Sequence, residues 1–197
     1  TRYKFIHGDI CNNKLVNKIF SEYKIDGVIN FAAETHVDNS ITNPDKFIKT
    51  NINGVFNLIN TAYKFWMDKP FRIKNKYSLA RFHQISTDEV YGSIDDGSFT
   101  EECKYYPNSP YSASKASADT IVRSFNKTYG LNTTISICSN NYGPYQNKEK
   151  FIPKLIDCLI NNKSIPIYGD GMNVRDWIYV LDHCRAIDVI FCNAKSG

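Results

Sequence analysis

The chain has 197 residues, of which 42% are hydrophobic and 22% charged, and its formal net charge is +4. This composition is typical of a globular protein with one substantial core and argues against a disordered chain. The lysines are scattered, and no apolar run is long enough to cross a membrane, so we predict neither a nucleic-acid partner nor a membrane partner.

The first part of the chain alternates apolar strand-like runs with amphipathic segments of helical length. We predict strands at residues 3–6, 27–31, 81–86 and 133–138, and we expect the strand at 27–31 to be buried. The predicted helices lie at residues 12–23, 43–66 and 111–129, the last of them ended by Gly130. Such alternation is typical of a parallel sheet covered by helices on both faces.

The pattern changes at Ser139, where a polar, Asn-rich loop begins. It leads to a helix predicted at residues 151–161, strands at 165–168 and 177–180, and a helix after Asp182. An irregular appendage of this kind is where a doubly wound fold builds its substrate side. We therefore predict an α/β doubly wound domain at residues 1–140 and a small substrate-binding part at residues 141–197.

One motif of dinucleotide-binding folds is absent from the sequence. No G-x-G-x-x-G turn occurs, although this turn cradles the pyrophosphate in the first βαβ unit of such folds. The chain also starts without Met, at what resembles the third strand of such a sheet. We expect a piece of a longer protein that lacks the first βαβ unit and is incomplete at its carboxyl end.

Cysteine and histidine usage bears on compartment and metals. The six cysteines form no C-x-x-C pair, and several stand in apolar runs, as expected of buried thiols in a reducing compartment. The four histidines show no metal-ligand spacing. We therefore predict a cytoplasmic protein without a metal site.

Two segments together predict an active site. Thr87, Asp88 and Glu89 follow the strand at 81–86, which places a hydroxyl and two carboxylates at its carboxyl end, where open α/β sheets bind their ligands. Tyr111 and Lys115 are four residues apart on a helix and share one face. A neighbouring ammonium stabilises the phenolate, which makes Tyr111 a usable general base although a free phenol has a pKa of about 10. Each segment alone is weak support, and their order along the chain favours a site.

The chain resembles the extended short-chain dehydrogenase/reductases and, among them, the nucleotide-sugar 4,6-dehydratases. The residues that carry this resemblance are 8–10, 31–38, 86–92, 111–115, 139–144, 165–169 and 173–177. It implies an NAD-binding Rossmann fold. It also implies the dehydration of a nucleotide-activated glucose to a 4-keto-6-deoxy sugar, a reaction on the route to rhamnose and related deoxysugars.

The resemblance also implies roles for individual residues. The catalytic residues would be Thr87, Asp88, Glu89, Tyr111 and Lys115. The cofactor-binding residues for NAD would be Asp9, Ile10, Phe31, Ala32, Ala33, Thr35, Thr50, Tyr111, Lys115 and Asn141. The substrate-binding residues would be Thr35, Thr87, Asn140, Lys150, Phe151, Pro166, Tyr168 and Arg175.

The implied reaction needs opposite protonation states in the two acids. Asp88 would protonate the departing C6 hydroxyl and Glu89 would remove the C5 proton. Neighbouring carboxyls in a dry site disfavour double ionisation, and their titration belongs to the pair. Which of the two carries the proton at rest stays open.

Three alternatives remain at this point. The expected substrate is dTDP-glucose, and UDP-glucose is the alternative because no residue that would read the base is identifiable. A catalytically silent NAD-binding scaffold is a further alternative.

The resemblance implies a homodimer formed by the helices at 44–66 and 111–129, whose apolar residues would otherwise face only the sheet.

Overall fold

The computed structural model describes residues 2–167 and 169–197, so Thr1 and Tyr168 lie outside the described residues. The chain divides into two compact units. The first unit comprises Thr1–Ile137 together with Ile190–Gly197, and the second comprises Cys138–Val189.

The first unit begins with a helix, a strand and a long helical segment. Its elements up to residue 73 are α1 (Asn13–Tyr23), β1 (Gly27–Asn30), α2 (Val37–Thr42), α3 (Pro44–Phe47), a π-helix (Ile48–Gly54), α4 (Val55–Trp66), β2 (Met67–Lys69) and β3 (Arg72–Ile73). Asn12 caps α1 by accepting a hydrogen bond from the Leu15 N–H, as short polar residues do at helix starts. Pro44 opens α3, where its missing N–H costs nothing. The helical run predicted at 43–66 is therefore confirmed, with a π-helix inside it.

The elements that follow supply the centre of the sheet and the longest helix. They are a 3₁₀-helix (Asn75–Tyr77), β4 (Arg81–Ile85), a second 3₁₀-helix (Asp88–Tyr91), α5 (Pro110–Tyr129) and β5 (Thr133–Ser136). The helix α5 starts at a reciprocal capping box between Ser109 and Ser112. It ends at Gly130, whose left-handed conformation (φ 71°) is the common helix stop that the sequence predicts.

The main sheet is parallel, with the order β1-β4-β5. The register pairs Val28 with Phe82 and Phe82 with Thr133. A parallel sheet packed with helices confirms the predicted α/β class. Since β4 is the middle strand, its carboxyl end is flanked by two others, and residues that follow Ile85 begin at the centre of this sheet edge.

The core of the first unit lies between the sheet and the helices α1, α4 and α5. Phe82, Trp66, Val122 and Leu131 are among its fully buried side chains. The Trp66 indole Nε1 donates to the Ile25 carbonyl at 2.7 Å, so this large ring is buried with its polar atom satisfied.

Polar side chains on β4 are buried as well, and each has a partner. His83 Nδ1 lies 2.8 Å from Thr134 Oγ1, and Gln84 Oε1 accepts from Asn30 Nδ2 at 2.9 Å. Both partners belong to adjacent strands. These pairs tie the three strands together on surfaces where an unpaired polar group would be costly.

Arg81, at the start of β4, holds the last turn of the final helix. Its Nη1 donates to the carbonyls of Ile190 and Phe191 at 3.0 and 2.6 Å, and its Nη2 donates to Ala194 O at 2.7 Å. A cation at a helix carboxyl end satisfies carbonyls that lack an intrahelical partner.

The second unit contains β6 (Asn140–Tyr142), α6 (Phe151–Ile160), β7 (Trp177–Tyr179) and the start of α7 (Val180–Asn193). Strands β6 and β7 pair in parallel. The helix α7 begins at Val180, slightly before its predicted start. Within the described residues 2–167 and 169–197 we find no helix that has the length and apolar character needed to cross a lipid bilayer.

Three sequence-based predictions about strands are wrong. Residues 3–6 form no strand with any described residue, and residues 165–167 also lie outside any strand. The strand β1 forms, but Gly27 and Ile29 are exposed, so it is not buried as predicted. The physical reason is shared, because a strand needs a neighbour to complete its hydrogen bonds and cover its side chains, and β1 pairs on one side only, with β4.

Replacement of Gly130 by alanine is expected to lower the free energy of unfolding by about 2–5 kcal/mol. The left-handed backbone costs an L-residue about 1–2 kcal/mol, and overpacking typically adds about 1–3 kcal/mol. An added Cβ would lie 2.6 Å from Phe71 Cδ1 and 3.1 Å from Phe71 Cα. Gly97→Ala is the matched control, since its φ is also positive (88°) while its nearest contact is Ile94 Cδ1 at 4.0 Å. Equal losses in urea unfolding would contradict the steric part of this argument.

Candidate active site

The strand end after β4 carries the predicted hydroxyl and acid pair. Thr87 is extended (φ −144°, ψ 147°) and caps the 3₁₀-helix Asp88–Tyr91. Its Oγ1 accepts from the Glu89 N–H at 3.4 Å and donates to Asp88 Oδ1 at 3.3 Å. Thr87 is buried, and Asp88 and Glu89 are half-buried. Local hydrogen bonding therefore presents both carboxyls at the carboxyl end of the central strand.

The first turns of α5 carry the predicted general base, Tyr111, and the lysine that supports it, Lys115. Tyr111 and Lys115 are both buried, with exposed fractions of 7% and 5%. The Tyr111 ring meets the edge of the Phe47 ring at a centroid distance of 6.2 Å and an interplanar angle of 75°. This contact holds the phenol against α3 and restricts its orientation.

A hydrogen bond joins these two predicted segments. Lys115 Nζ donates to the Ile85 carbonyl at 2.5 Å, and Ile85 is the last residue of β4. A buried ammonium needs acceptors to replace the water it loses, and the Ile85 carbonyl is such an acceptor for Lys115. The structure therefore brings the Thr87–Asp88–Glu89 segment and the Tyr111/Lys115 helix together.

Asn51, which the sequence argument did not single out, links three elements from inside the π-helix. Its Oδ1 accepts from the Glu34 N–H at 2.9 Å, and its Nδ2 donates to Glu34 O at 3.0 Å and Ser114 Oγ at 2.8 Å. Ser114 Oγ in turn donates to the Tyr111 carbonyl at 2.7 Å. Asn51 thereby connects the loop after β1 to the turn of α5 that carries Tyr111, and π-helical segments often occur at such functional positions.

Asp119, one helical turn beyond Lys115, was also missed by the sequence argument. Its side chain is 2% exposed, and its Oδ2 accepts a short hydrogen bond from Ser86 Oγ and another from the Tyr105 hydroxyl at 3.3 Å. Burial raises the pKa of Asp119 to about 6, although the Ser86 hydrogen bond and the Lys115 charge oppose the rise. Partial burial of Tyr105 itself, together with the Asp119 charge, raises the pKa of Tyr105.

The raised pKa of Asp119 predicts a pH-dependent free energy of unfolding. The folded value exceeds the unfolded value of about 4, so this group stabilises the fold fully below pH 4 and loses that stabilisation as the pH rises through 6. The total loss is about 3 kcal/mol for a shift of about two units. Urea unfolding of the protein and of Asp119→Asn at pH 4.5 and pH 7 should detect about 2 kcal/mol of this loss, since pH 4.5 already lies above the unfolded pKa and the variant lacks this titration. Parallel pH dependences would contradict the raised pKa.

The residues predicted to contact the cofactor, Asn141 excepted, lie in the first unit. Asp9, Ile10 and Thr50 come before α1 and within the π-helix, and Phe31, Ala32, Ala33 and Thr35 follow β1. Asp9 is exposed, and the Cys11 backbone N–H, which donates to its Oδ1 at 2.8 Å, holds the pKa of Asp9 below its usual value. Phe31, Ala32 and Thr35 are exposed, whereas Ala33 is half-buried.

The second unit holds Asn141 and most of the predicted substrate residues. Asn140 and Asn141 lie on β6, and the Asn141 amide is engaged by His183 Nδ1 at 2.7 Å and Ser139 O at 3.2 Å. Lys150 is half-buried at the start of α6, and Phe151, Pro166 and Arg175 are exposed. Tyr168, also predicted to bind substrate, lies outside the described residues.

An apolar pocket of about 400 Å³ lies within the second unit. It is lined by Tyr142, Phe151, Ile152 and Trp177, and the rings of Phe151 and Trp177 are 6.3 Å apart. Only Phe151 of this group was predicted. An aromatic-lined pocket of this size suits a planar or apolar ligand group. No local sequence pattern indicates it, because its lining comes from β6, α6 and β7, which are separate along the chain.

Comparison with known proteins places the chain in a family. A family model described as GDP-mannose 4,6 dehydratase matches residues 1–197. The dTDP-glucose 4,6-dehydratase of Salmonella typhimurium is 47% identical over 206 aligned residues, which cover 100% of this chain and 56% of that protein. The enzyme of the same name from Neisseria meningitidis serogroup B is 49% identical over 198 residues, covering 100% and 55%.

A solved structure shows the same fold. DesIV, a dTDP-glucose 4,6-dehydratase from Streptomyces venezuelae solved with NAD and TYD bound, superposes with a TM-score of 0.89 at 42% sequence identity. The match covers 100% of this chain and 56% of that one. The chain thus spans about half the length of the relatives it matches. The resemblance drawn from the motifs is confirmed, and the chain belongs to the GDP-mannose 4,6 dehydratase family.

Proposed function

We propose that this chain carries the catalytic groups of an NAD-dependent nucleotide-glucose 4,6-dehydratase that converts dTDP-glucose to dTDP-4-keto-6-deoxyglucose. The observation that supports this most directly is the Lys115–Ile85 hydrogen bond, because it joins the acid-bearing strand end to the helix of Tyr111. Relatives at 47% and 49% identity that carry the name dTDP-glucose 4,6-dehydratase support the same substrate.

The residues of the first unit fit NAD by their chemistry. Asp9 is exposed and its pKa is lowered, so it offers an ionised acceptor suited to ribose hydroxyls. Ala32 and Ala33 are small and follow β1, which lets a ligand approach the backbone at the sheet edge. We assign NAD binding to these residues with Ile10, Phe31, Thr35, Thr50, Tyr111 and Lys115 from the first unit and Asn141 from the second. When bound, NAD supplies the acceptor and donor of hydride.

Tyr111 is the proposed general base for the C4 hydroxyl. As the C4 hydrogen leaves with its electron pair, Tyr111 takes the hydroxyl proton and C4 becomes a ketone. Lys115 stabilises the phenolate by its positive charge, and Thr87 positions the C4 oxygen by a hydrogen bond. Positioned proton transfer of this type contributes about 10²- to 10⁴-fold to rate.

Asp88 and Glu89 are the proposed acid and base of the elimination. The C4 ketone acidifies the C5 hydrogen, Glu89 accepts that proton, and Asp88 protonates the departing C6 hydroxyl so that water leaves. The hydride taken from C4 then returns to C6 and Glu89 gives a proton back to C5, which yields the 4-keto-6-deoxy sugar. The Thr87 hydroxyl donates to Asp88 Oδ1, which orients this carboxyl.

Residues 141–197 are the proposed nucleotide-sugar-binding part, and residues 1–140 the proposed NAD-binding domain. The substrate residues proposed in the second unit are Asn140, Lys150, Phe151, Pro166, Tyr168 and Arg175, with Thr35 and Thr87 from the first. Lys150 and Arg175 are suited to a diphosphate, since both are donors and arginine bonds phosphate in a bidentate manner. A homodimer through the helical run at residues 44–66 and the helix at 111–129 is also proposed, supported by Phe56, an aromatic residue of α4 that is 47% exposed.

The test uses the full-length protein with dTDP-glucose and UDP-glucose in separate reactions. We expect a 4-keto-6-deoxy product from dTDP-glucose and a kcat/KM about 10- to 200-fold lower for UDP-glucose, the range that a methyl-sized pocket gives. A preference for UDP-glucose would reverse the nucleotide assignment. No product from either sugar in protein that contains NAD would contradict the dehydratase.

A further inference from the structure

A buried carboxyl that the proposed reaction does not use lies behind the site. Asp119 is 2% exposed and follows Lys115 by four residues on α5, so the side chains of Tyr111, Lys115 and Asp119 recur along one helix face. Its Oδ1 is buried and has no hydrogen-bond partner among residues 2–167 and 169–197. A carboxyl in such surroundings costs stability and therefore calls for a reason.

The partners of Asp119 Oδ2 connect it to the acidic segment. Ser86, which donates to it, directly precedes Thr87, and the Ser86 N–H is held by Ser136 O on β5 at 2.7 Å. Successive side chains of an extended segment point to opposite sides. With the Ser86 hydroxyl turned toward α5, the extended Thr87 presents its side chain on the other side of the strand.

Two neighbouring turns of α5 therefore hold two neighbouring residues of one strand end. Lys115 holds the Ile85 carbonyl at 2.5 Å, and Asp119 holds the Ser86 hydroxyl. The Lys115 and Asp119 charges also attract each other. Loss of the Ser86 contact would remove one of these two hydrogen bonds between the strand end and α5, next to the residues that must meet the sugar.

We infer that Asp119 is a positioning residue: its ionised carboxylate, bonded to Ser86 and beside Lys115, sets the spacing between Thr87, Asp88 and Glu89 on one side and Tyr111 on the other. This inference rests on the proposed dehydratase function. A displacement of about 1 Å in reacting groups can lower a rate about 100-fold, so a contact of this kind has measurable consequences.

The ionised state is the one that acts at neutral pH. The pKa of Asp119 is raised to about 6, so the carboxylate predominates above that pH. The charged or titratable groups that face it are Lys115 on α5, Tyr105 in the preceding loop and Tyr91 on the 3₁₀-helix, with Glu101 and Cys103 acting on Tyr91. Protonation below pH 6 removes the attraction to Lys115 and weakens the bond from Ser86.

The test compares Asp119→Asn, Ser86→Ala and the double variant in the full-length protein. We expect each single variant to lower kcat at pH 8 by about 10- to 100-fold, with KM and NAD content within twofold of the unsubstituted protein. The double variant should be no slower than the slower single variant, because Asp119→Asn weakens and Ser86→Ala removes the same contact. Asp96→Asn is the matched control, since it removes one exposed carboxylate and should leave kcat unchanged.

Two further measurements separate positioning from a purely structural role. The kcat of the unsubstituted protein divided by that of Asp119→Asn should be large above pH 6 and fall toward one below pH 6. Groups that titrate in both proteins affect both rates equally, so their titrations cancel in this ratio. The melting temperature of Asp119→Asn at pH 8 should not fall, since a neutral amide avoids burial of a charge.

Several outcomes would overturn the inference. These are a kcat within twofold of the unsubstituted protein in both single variants, a loss of rate matched by a loss of folded protein or NAD, and a rate ratio independent of pH. If Asp119→Asn does not fold, Ser86→Ala and Tyr105→Phe decide, since each removes one donor and keeps the carboxylate. If the unsubstituted protein makes no product, the proposed function and this inference fall together, whereas single variants with a kcat within twofold of an active unsubstituted protein overturn this inference alone.

Discussion

Replacement of Tyr111 by phenylalanine in the full-length protein is expected to lower kcat for the 4-keto-6-deoxy product by about 10²- to 10⁴-fold. The phenol oxygen is the proposed acceptor of the C4 hydroxyl proton, and phenylalanine keeps the ring while it removes that oxygen. The ring contact with Phe47, at 6.2 Å between centroids, does not involve the hydroxyl and should persist. The measurement is the rate of product formation, with substrate affinity followed by KM.

Tyr106→Phe is the control for this change. Tyr106 is 76% exposed and stands in the loop before α5, so the same loss of a hydroxyl should leave kcat within twofold. If Tyr111→Phe kept more than a tenth of the rate, another group would have to take the proton and the base assignment would be wrong. A rise in KM alone would identify Tyr111 as a binding residue.

Replacement of the acid pair is expected to separate oxidation from elimination. In Glu89→Gln the C5 proton has no acceptor, so exchange of that hydrogen with deuterated solvent and product formation should both fall by about 10²- to 10⁴-fold. Oxidation at C4 does not require Glu89 and should still be visible as absorbance of the reduced nicotinamide. Asp88→Asn should allow the exchange and block the departure of the C6 hydroxyl.

Exposed acids in the loop that follows provide the matched controls for the acid pair. Asp95→Asn and Glu102→Gln make the same chemical changes at exposed positions and should leave all three measurements unchanged. If hydrogen exchange at C5 persists in Glu89→Gln and disappears in Asp88→Asn, Asp88 is the base and Glu89 the acid. Exchange that survives in both variants would show that neither carboxyl removes the C5 proton.

The parts of the fold that the sequence predicts correctly are those that local chemistry decides. The helix α5 has its start in the Ser109–Ser112 capping box and its end in Gly130, and both features can be read from neighbouring residues. The strand β4 forms as predicted, although only Phe82 and Ile85 of its five residues are apolar. Residues 3–6 and 165–167 contain at least as large a share of apolar residues, yet they form no strand, because pairing depends on residues far away in the chain.

The same division holds for the candidate site. The sequence by itself determined the α/β class and, through the resemblance of its motifs to known enzymes, the family. It also placed the Thr-Asp-Glu segment after a strand and Tyr111 and Lys115 on one helix face, since position after a strand and spacing of four on a helix are local properties. Only the tertiary structure decided what holds them: Ser86 meets Asp119 across 33 residues, and Asn51 meets Ser114 across 63. The hydrogen-bond partner of a serine, an asparagine or an aspartate inside a helix or strand cannot be predicted from neighbouring residues. Such a partner becomes necessary only because the tertiary structure buries the polar group.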